Sequence, residues 1–275
     1  MTARPERRQR QKMLRRTLAE IEQRGIPLPA RMEHIAALAL GFSDRLTARS
    51  SANPAIDAAE YRHRIYEISA AKSRAFAGAE CKKGCCYCCK AYVSALPPDI
   101  FAVARHVSAR GRSEIDRVIA AEAVTHGQDL DRRMATRDPC ALLNGDACGV
   151  YAKRPIPCRA YNSRSVEACR IFYGGGPDDI PALELPKTLR AAVQQAMFVA
   201  LRSLELADVS YELNHAVVVA LTTENAESRW LAGEDIFAAV PQDPGSTIRG
   251  PGTAPAMMLN KLVAVCRGEI LPPQS

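Results

Sequence analysis

At 275 residues with 47% hydrophobic side chains, the chain is long enough to bury a substantial core. No run approaches the ~18 consecutive apolar residues of a membrane helix, since Ile35 to Leu40 and Ala216 to Leu221 are far shorter, and this excludes a membrane-spanning role. The net charge of +7 is local: residues 1–31 hold nine Arg or Lys against Glu6, Glu20 and Glu22, so the rest of the chain is nearly neutral.

That basic arm has no apolar stretch or small-residue cleavage site behind it, so it does not read as a secretory signal and a cytoplasmic address is expected. It also lacks aromatic interleaving or a reading motif. It is therefore taken as a solvated charged face, and a nucleic-acid partner is not expected.

Leu14, Leu18 and Ile21 recur at helical spacing and predict a first helix ending near Arg24, before Gly25 and the prolines 27 and 29. A second helix is predicted over 32–48. After the Ser50 to Pro54 punctuation, the alanine-rich stretch 55–76 predicts a third, with Ile65, Ile68 and Ala71 on one face. Pro97-Pro98-Asp99 reads as a helix start, and Ser113-Glu114 opens a helix running to about His126. Residues 138–186 hold six prolines with Gly145, Gly149 and Gly174 to Gly176, a composition of turns and extended segments rather than long helices. From Lys187, the spacing of Leu189, Val193, Ala196 and Leu204 predicts a long helix; His215 to Leu221 fits a short buried helix or a strand, and 226–240 and 255–265 also read as helical. The fold class expected is mainly α, with helices packed around an irregular, Pro/Gly-rich, cysteine-ligated metal-binding centre. The organisation expected is 1–78 as a helical region with a basic arm, 79–175 as the metal-binding domain and 176–275 as a second helical region.

The chemistry lies in the cysteines. Cys81, Cys85, Cys86, Cys88 and Cys89 put five thiols within nine residues, beside Lys82, Lys83 and Lys90. A reducing compartment keeps thiols unpaired, and thiolates are soft ligands that select zinc, copper(I) or iron–sulfur clusters. Gly84 permits the tight backbone such a loop requires. A second group, Cys140, Cys148, Cys158 and Cys169, lies in the Pro/Gly-rich stretch. A tetrahedral zinc or a cubane cluster takes ~4 cysteines, so eight candidates fit two tetrathiolate centres, or one centre plus an exchange site or redox pair.

The pattern Cys81-x3-Cys85-x2-Cys88-Cys89 with Lys90 and Val93, followed by Cys140 and by Cys148-Gly-Val-Tyr-Ala-Lys-Arg-Pro-Ile-Pro-Cys158-Arg159, resembles the YkgJ-type cysteine-cluster family, described as chelating zinc or iron. The resemblance runs from about Cys81 to Cys169. It implies Cys81, Cys85, Cys88, Cys89, Cys140, Cys148 and Cys158 as metal ligands, with Cys169 a weaker carry-over and Cys86 an addition to the pattern. Cys266 reads as a core residue. The function expected is binding of zinc or iron, as an ion or as a 4Fe-4S cluster. Because the family includes a flagellin lysine methylase, the alternative is an iron–sulfur enzyme that modifies a protein or peptide partner, with S-adenosylmethionine as a candidate cofactor. Cys81, Cys85 and Cys88 also resemble the three-thiolate signature of radical S-adenosylmethionine enzymes, but the chain lacks the alternating strand and helix periods of their β/α barrel.

Fixed cations beside thiolates stabilise them, which makes Arg154, Arg159 and the three lysines candidates for charge compensation, while Tyr151 reads as packing over the centre. The histidines at 34, 63, 106, 126 and 215 sit in helical surroundings away from both clusters in sequence, His106 being the best placed as a ligand. Gly174 to Gly176 lacks the Lys and Ser/Thr of a phosphate loop and reads as a turn. No nucleophile, base and orienting acid can be assembled.

Overall fold

A computed structural model describes residues 31–177, 179–243, 260 and 263–264. The predicted helix ending near Arg24 and Cys266 lie outside the described residues, and so does most of the predicted helix over 255–265, of which Asn260, Val263 and Ala264 are helical.

The protein is mainly α-helical. Helix α1 (Arg31–Leu46) and α2 (Pro54–Lys72) are followed by a 3₁₀ turn at Tyr87–Lys90, the two-residue strand β1 (Ser94–Ala95), α3 (Pro97–Ser108), α4 (Arg112–Glu122) and α5 (Leu130–Thr136). The Pro/Gly-rich stretch then forms a small hairpin of β2 (Leu143–Asn144) and β3 (Ala147–Cys148), a second 3₁₀ turn at Tyr151–Lys153, and the short helices α6 (Ile156–Ala160) and α7 (Val166–Tyr173). Helix α8 (Glu184–Ser203), β4 (Tyr211–Glu212), α9 (Leu213–Thr222) and α10 (Ala226–Leu231) complete the described elements. Strand β1 pairs antiparallel with β4, Ser94 opposite Glu212 and Ala95 opposite Tyr211. Among the described residues, no helix is long and apolar enough to cross a membrane.

Helices from either side of the cysteine-rich stretch share one core. α1 lies along α8, α2 packs on α1, α3 and α8, and α9 packs on α3 and α4. Small side chains make the close approach of α2 workable, since Ala55, Ala58, Ala59 and Ala70 are all essentially inaccessible. The predicted Ile65–Ile68 face is therefore not the buried one. Ile68 is 42% exposed, and α2 instead turns Arg62, His63 and Tyr66 inward with the alanines.

That inward turn is explained by Asp99, in the first turn of α3. Its carboxylate, fully buried, accepts hydrogen bonds from Arg62 and, at 2.9 Å, meets Nε2 of His63. Burial alone would raise the Asp99 carboxyl, but Arg62 and His63 more than offset that and hold it below the usual carboxylate range.

Three segments differ from the periodicity. α4 ends at Glu122 rather than His126, because the Thr125 amide and hydroxyl both bond back to the Glu122 carbonyl and Gly127 takes φ +67°. The stretch 226–240 is helical only to Leu231, where Gly233 takes φ +92° and Arg229 pairs back to Glu234. Helix α5, which has too few apolar residues to announce itself, is started by Asp129, whose side chain accepts from the Arg132 amide. Of the two alternatives for His215 to Leu221, the helix is found, capped by Glu212 accepting from the His215 amide at 2.7 Å.

Asp99→Asn should lower stability by about 3–5 kcal/mol, because it leaves the Arg62 guanidinium buried without its counter-charge. Chemical denaturation checks this; a loss below about 1 kcal/mol would show that the ion pair does not hold α2 on α3.

Candidate metal centre

Local backbone geometry delivers each cysteine. Gly84 takes φ +93° with nothing near where a Cβ would stand, and the Cys85 amide bonds to the Lys82 carbonyl at 3.1 Å, closing the loop between Cys81 and Cys85. The 3₁₀ turn that follows is held by the Cys89 amide on the Cys86 carbonyl at 3.0 Å. With ~3 residues per turn, successive side chains of such a helix diverge by about 120°, so Cys88 and Cys89 reach different neighbours.

The second group comes in by other means. The Cys140 amide donates to the Cys89 carbonyl at 2.8 Å, which fastens the incoming loop directly on the first cluster. Cys148 ends β3, opposite Leu143, in a hairpin whose first loop residue, Gly145, takes φ +59°. Cys158 sits on α6, which starts behind Pro155 and packs on β1 and α8. Cys169 sits on α7, capped by the Ser165 hydroxyl accepting from the Ala168 amide at 3.0 Å, and α7 packs on the first 3₁₀ turn.

All nine described cysteines are free thiols; Cys169 is buried and the others are half-buried. Their mutual electrostatics couples thiols from both groups. Burial raises Cys169, whose thiolate is further opposed by Cys81, Cys88 and Cys85; burial likewise raises Cys81, opposed by Cys85 and Cys88. In the other direction, burial raises Cys158 well above its usual range, with Cys140, Cys88 and Cys148 adding to it. Cys140 is pushed up to about 12, chiefly by burial and then by Cys148. Cys89 is raised by the hydrogen bond it shares with Cys88, by burial and by Cys140 and Cys158, whereas the same shared proton lowers Cys88. Cys88 adds to the raising of Cys81, Cys85 and Cys169 and equally of Cys148 and Cys158, so thiols of both groups form one electrically coupled cluster with Cys88 at its junction.

Cys86 stands apart. Its sulfur lies 3.9 Å from Asp146 Oδ1, at the hairpin loop.

The cations take distinct parts. Arg154 is the one whose charge favours the thiolates of Cys81, Cys88, Cys148 and Cys158, and its enclosed Nε has no hydrogen-bond partner. Its guanidinium lies 3.9 Å from the centre of the Tyr151 ring, so the tyrosine packs and positions rather than reacts. Lys82 acts on Cys85. Arg159, next to Cys158, is committed elsewhere: it donates to the Arg154 carbonyl at 2.7 Å, the Ala152 carbonyl at 2.6 Å and the Glu67 carboxylate. Together with Lys153 on Glu60, it fastens this loop to α2.

Further donors meet the sulfurs. The Ser163 amide approaches Cys81 Sγ at 3.2 Å, and Cys140 Sγ donates to Asn214 Oδ1, also at 3.2 Å.

Residues 80–173, about a third of the chain, match the family model CxxCxxCC, described as "Putative zinc- or iron-chelating domain". This stretch is similar to that chelating domain. The chelating domain takes in every cysteine from Cys81 to Cys169. No curated protein and no solved structure matches the chain.

The donor set of the chelating domain suits a soft or borderline metal. Thiols raised by burial and by one another stay protonated when alone, and a metal replaces those protons with its own charge, so loading releases protons.

Arg154→Gln should weaken zinc binding by roughly 10- to 100-fold, the range for groups that tune a metal ligand from behind it. A competitive chelator titration measures this; an unchanged affinity would remove Arg154 from the centre.

Proposed function

We propose that residues 79–175 bind zinc or iron through two tetrathiolate centres, one formed by Cys81, Cys85, Cys88 and Cys169 and the other by Cys89, Cys140, Cys148 and Cys158. The described helices of the regions 1–78 and 176–275 act as the scaffold. What supports this reading is that Cys81, Cys85 and Cys88 oppose the Cys169 thiolate while Cys140 and Cys158 oppose that of Cys89, two neighbourhoods that meet at Cys88. Four thiolates satisfy a tetrahedral zinc and equally the four irons of a cubane cluster.

Within such a centre the residues have separate tasks. The thiolates hold the metal, Arg154 offsets part of the negative charge that four sulfurs leave on it, and the Ser163 amide and Asn214 orient the sulfurs they touch. A closed four-sulfur shell suits storage, structural stabilisation or electron transfer more than direct attack on a substrate. The cytoplasmic address follows from the same chemistry, since an oxidising compartment would convert neighbouring thiols into disulfides.

The test is metal and sulfide analysis of the full chain purified without oxygen, with its visible spectrum. Two zinc per chain without colour supports zinc centres; about four iron and four sulfide per centre with a brown spectrum supports clusters. Less than one equivalent of any metal would overturn the proposal. Cys85→Ser and Cys158→Ser should each abolish one centre and spare the other, whereas Cys86→Ser should spare both. If either single variant empties both centres while the chain stays folded, or neither lowers metal content, the division into two sets is wrong.

A further inference from the structure

Among the described residues, one group of three side chains, none of them a cysteine and two of them within the matched stretch, brings carboxylate and imidazole metal ligands together. Glu122 closes α4, His126 follows it by one turn, and His215 stands on α9, which packs against α4. One carboxylate oxygen of Glu122 and one ring nitrogen from each histidine all lie within 4.8 Å of one another. Glu122 Oε1 meets His126 Nδ1 at 2.9 Å, and the two imidazole rings are 4.3 Å apart at an interplanar angle of 47°.

A plain ion pair explains only part of this. Glu122 and His126 would satisfy one another as partners on successive turns. That leaves His215, whose Nδ1 is enclosed and has no hydrogen-bond partner, an unfavourable placement for a polar group. Two imidazoles facing one carboxylate are an arrangement that a cation relieves, because each neutral ring nitrogen then has a charge to point at.

We propose that Glu122, His126 and His215 form a second kind of metal site, an open two-histidine, one-carboxylate site for a divalent zinc or iron(II) ion. The ligand set is that of sites which keep coordination positions free for water or a bound anion, in contrast to the closed thiolate shells. Its accessibility agrees. Glu122 is 4% exposed and fixes the floor, whereas the His126 side chain is 60% exposed, so the entrance lies on its side. A tetrahedral ion with ligands at about 2.0–2.1 Å separates them by about 3.4 Å, so small shifts of the three atoms, which lie within 4.8 Å of one another, suffice. The exposed His126 can make most of that movement by changing rotamer.

The site adjoins the cysteine cluster. Asn214, which precedes His215, accepts from Cys140 Sγ at 3.2 Å through Oδ1 and donates through Nδ2 to Thr125 Oγ1 at 3.1 Å. Thr125 in turn precedes His126. One asparagine therefore touches a thiol of the Cys140 set while holding the turn that carries a histidine of the open site.

Cobalt(II) is the probe, because sulfur-to-cobalt charge-transfer absorption reports thiolate ligation and a histidine–carboxylate site lacks it. The full chain should bind one more cobalt than its thiolate absorption accounts for. His126→Asn, at an exposed position that does not challenge folding, and Glu122→Gln, close to isosteric, should each lose that one equivalent and leave the thiolate absorption unchanged. Retention of all the cobalt in both variants would overturn the proposal, as would loss of the thiolate absorption together with the metal. A chain that shows no thiolate absorption at all, yet binds one cobalt that His126→Asn abolishes, would sustain the open site while refuting the thiolate centres.

Discussion

Sulfurs gathered beneath a protein surface obey a strict electrostatic constraint: each thiolate raises the cost of the next, and burial removes the water that would screen them. In this chain the constraint governs Cys81 to Cys169. Cys140 is pushed up to about 12 and Cys158 well above its usual range, whereas Cys88, which shares a proton with Cys89, is lowered to about 7. Arg154 offsets some of that repulsion for four of them but supplies one positive charge where eight sulfurs stand. Zinc and iron are the cations that the chelating-domain family is described as holding.

The rest of the fold can be understood as a frame for that cluster. α2 and α3 are locked by the buried Arg62–Asp99–His63 group, and the exposed edge of α2 offers Glu60 and Glu67 to Lys153 and Arg159. The loop that carries Cys148 and Cys158 is thus tied to a helix whose own position is fixed. From the other side, α8 receives α6, and α9 sends Asn214 to Cys140. Polar and charged contacts do this work because short irregular segments cannot bury enough apolar surface to position themselves.

Much of this was legible in the sequence where periodicity is strong. α1, α2, α3 and α8 begin and end near the residues that proline, serine clusters and apolar spacing indicated. Ile68 was misjudged because residue hydrophobicity says which side chains can be buried, whereas Asp99, 37 residues along the chain from Arg62, decided which face of α2 was. α4 stopped early at a threonine and a glycine, signals more local than an apolar pattern. The cysteines could be identified from spacing and family resemblance, but their grouping could not. Cys88 and Cys89 are neighbours in the chain and share a proton, and Cys169, the weakest carry-over, is brought into electrostatic reach of Cys81 by the packing of α7 on the 3₁₀ turn. The Asn144-Gly145-Asp146 run was the available signal for the hairpin that brings Cys148 round. Arg159, adjacent to Cys158 in sequence, proved to hold the loop, while Arg154 faces the sulfurs.

The central claim is that eight named thiols hold metal and Cys86 does not. Residue-resolved alkylation of the full chain, read by mass spectrometry before and after removal of metal with a chelator, tests it most directly. The account predicts that Cys81, Cys85, Cys88, Cys89, Cys140, Cys148, Cys158 and Cys169 react slowly in the loaded protein and faster once it is stripped, while Cys86 reacts at one rate in both. Equal rates at those eight positions with and without metal would contradict it.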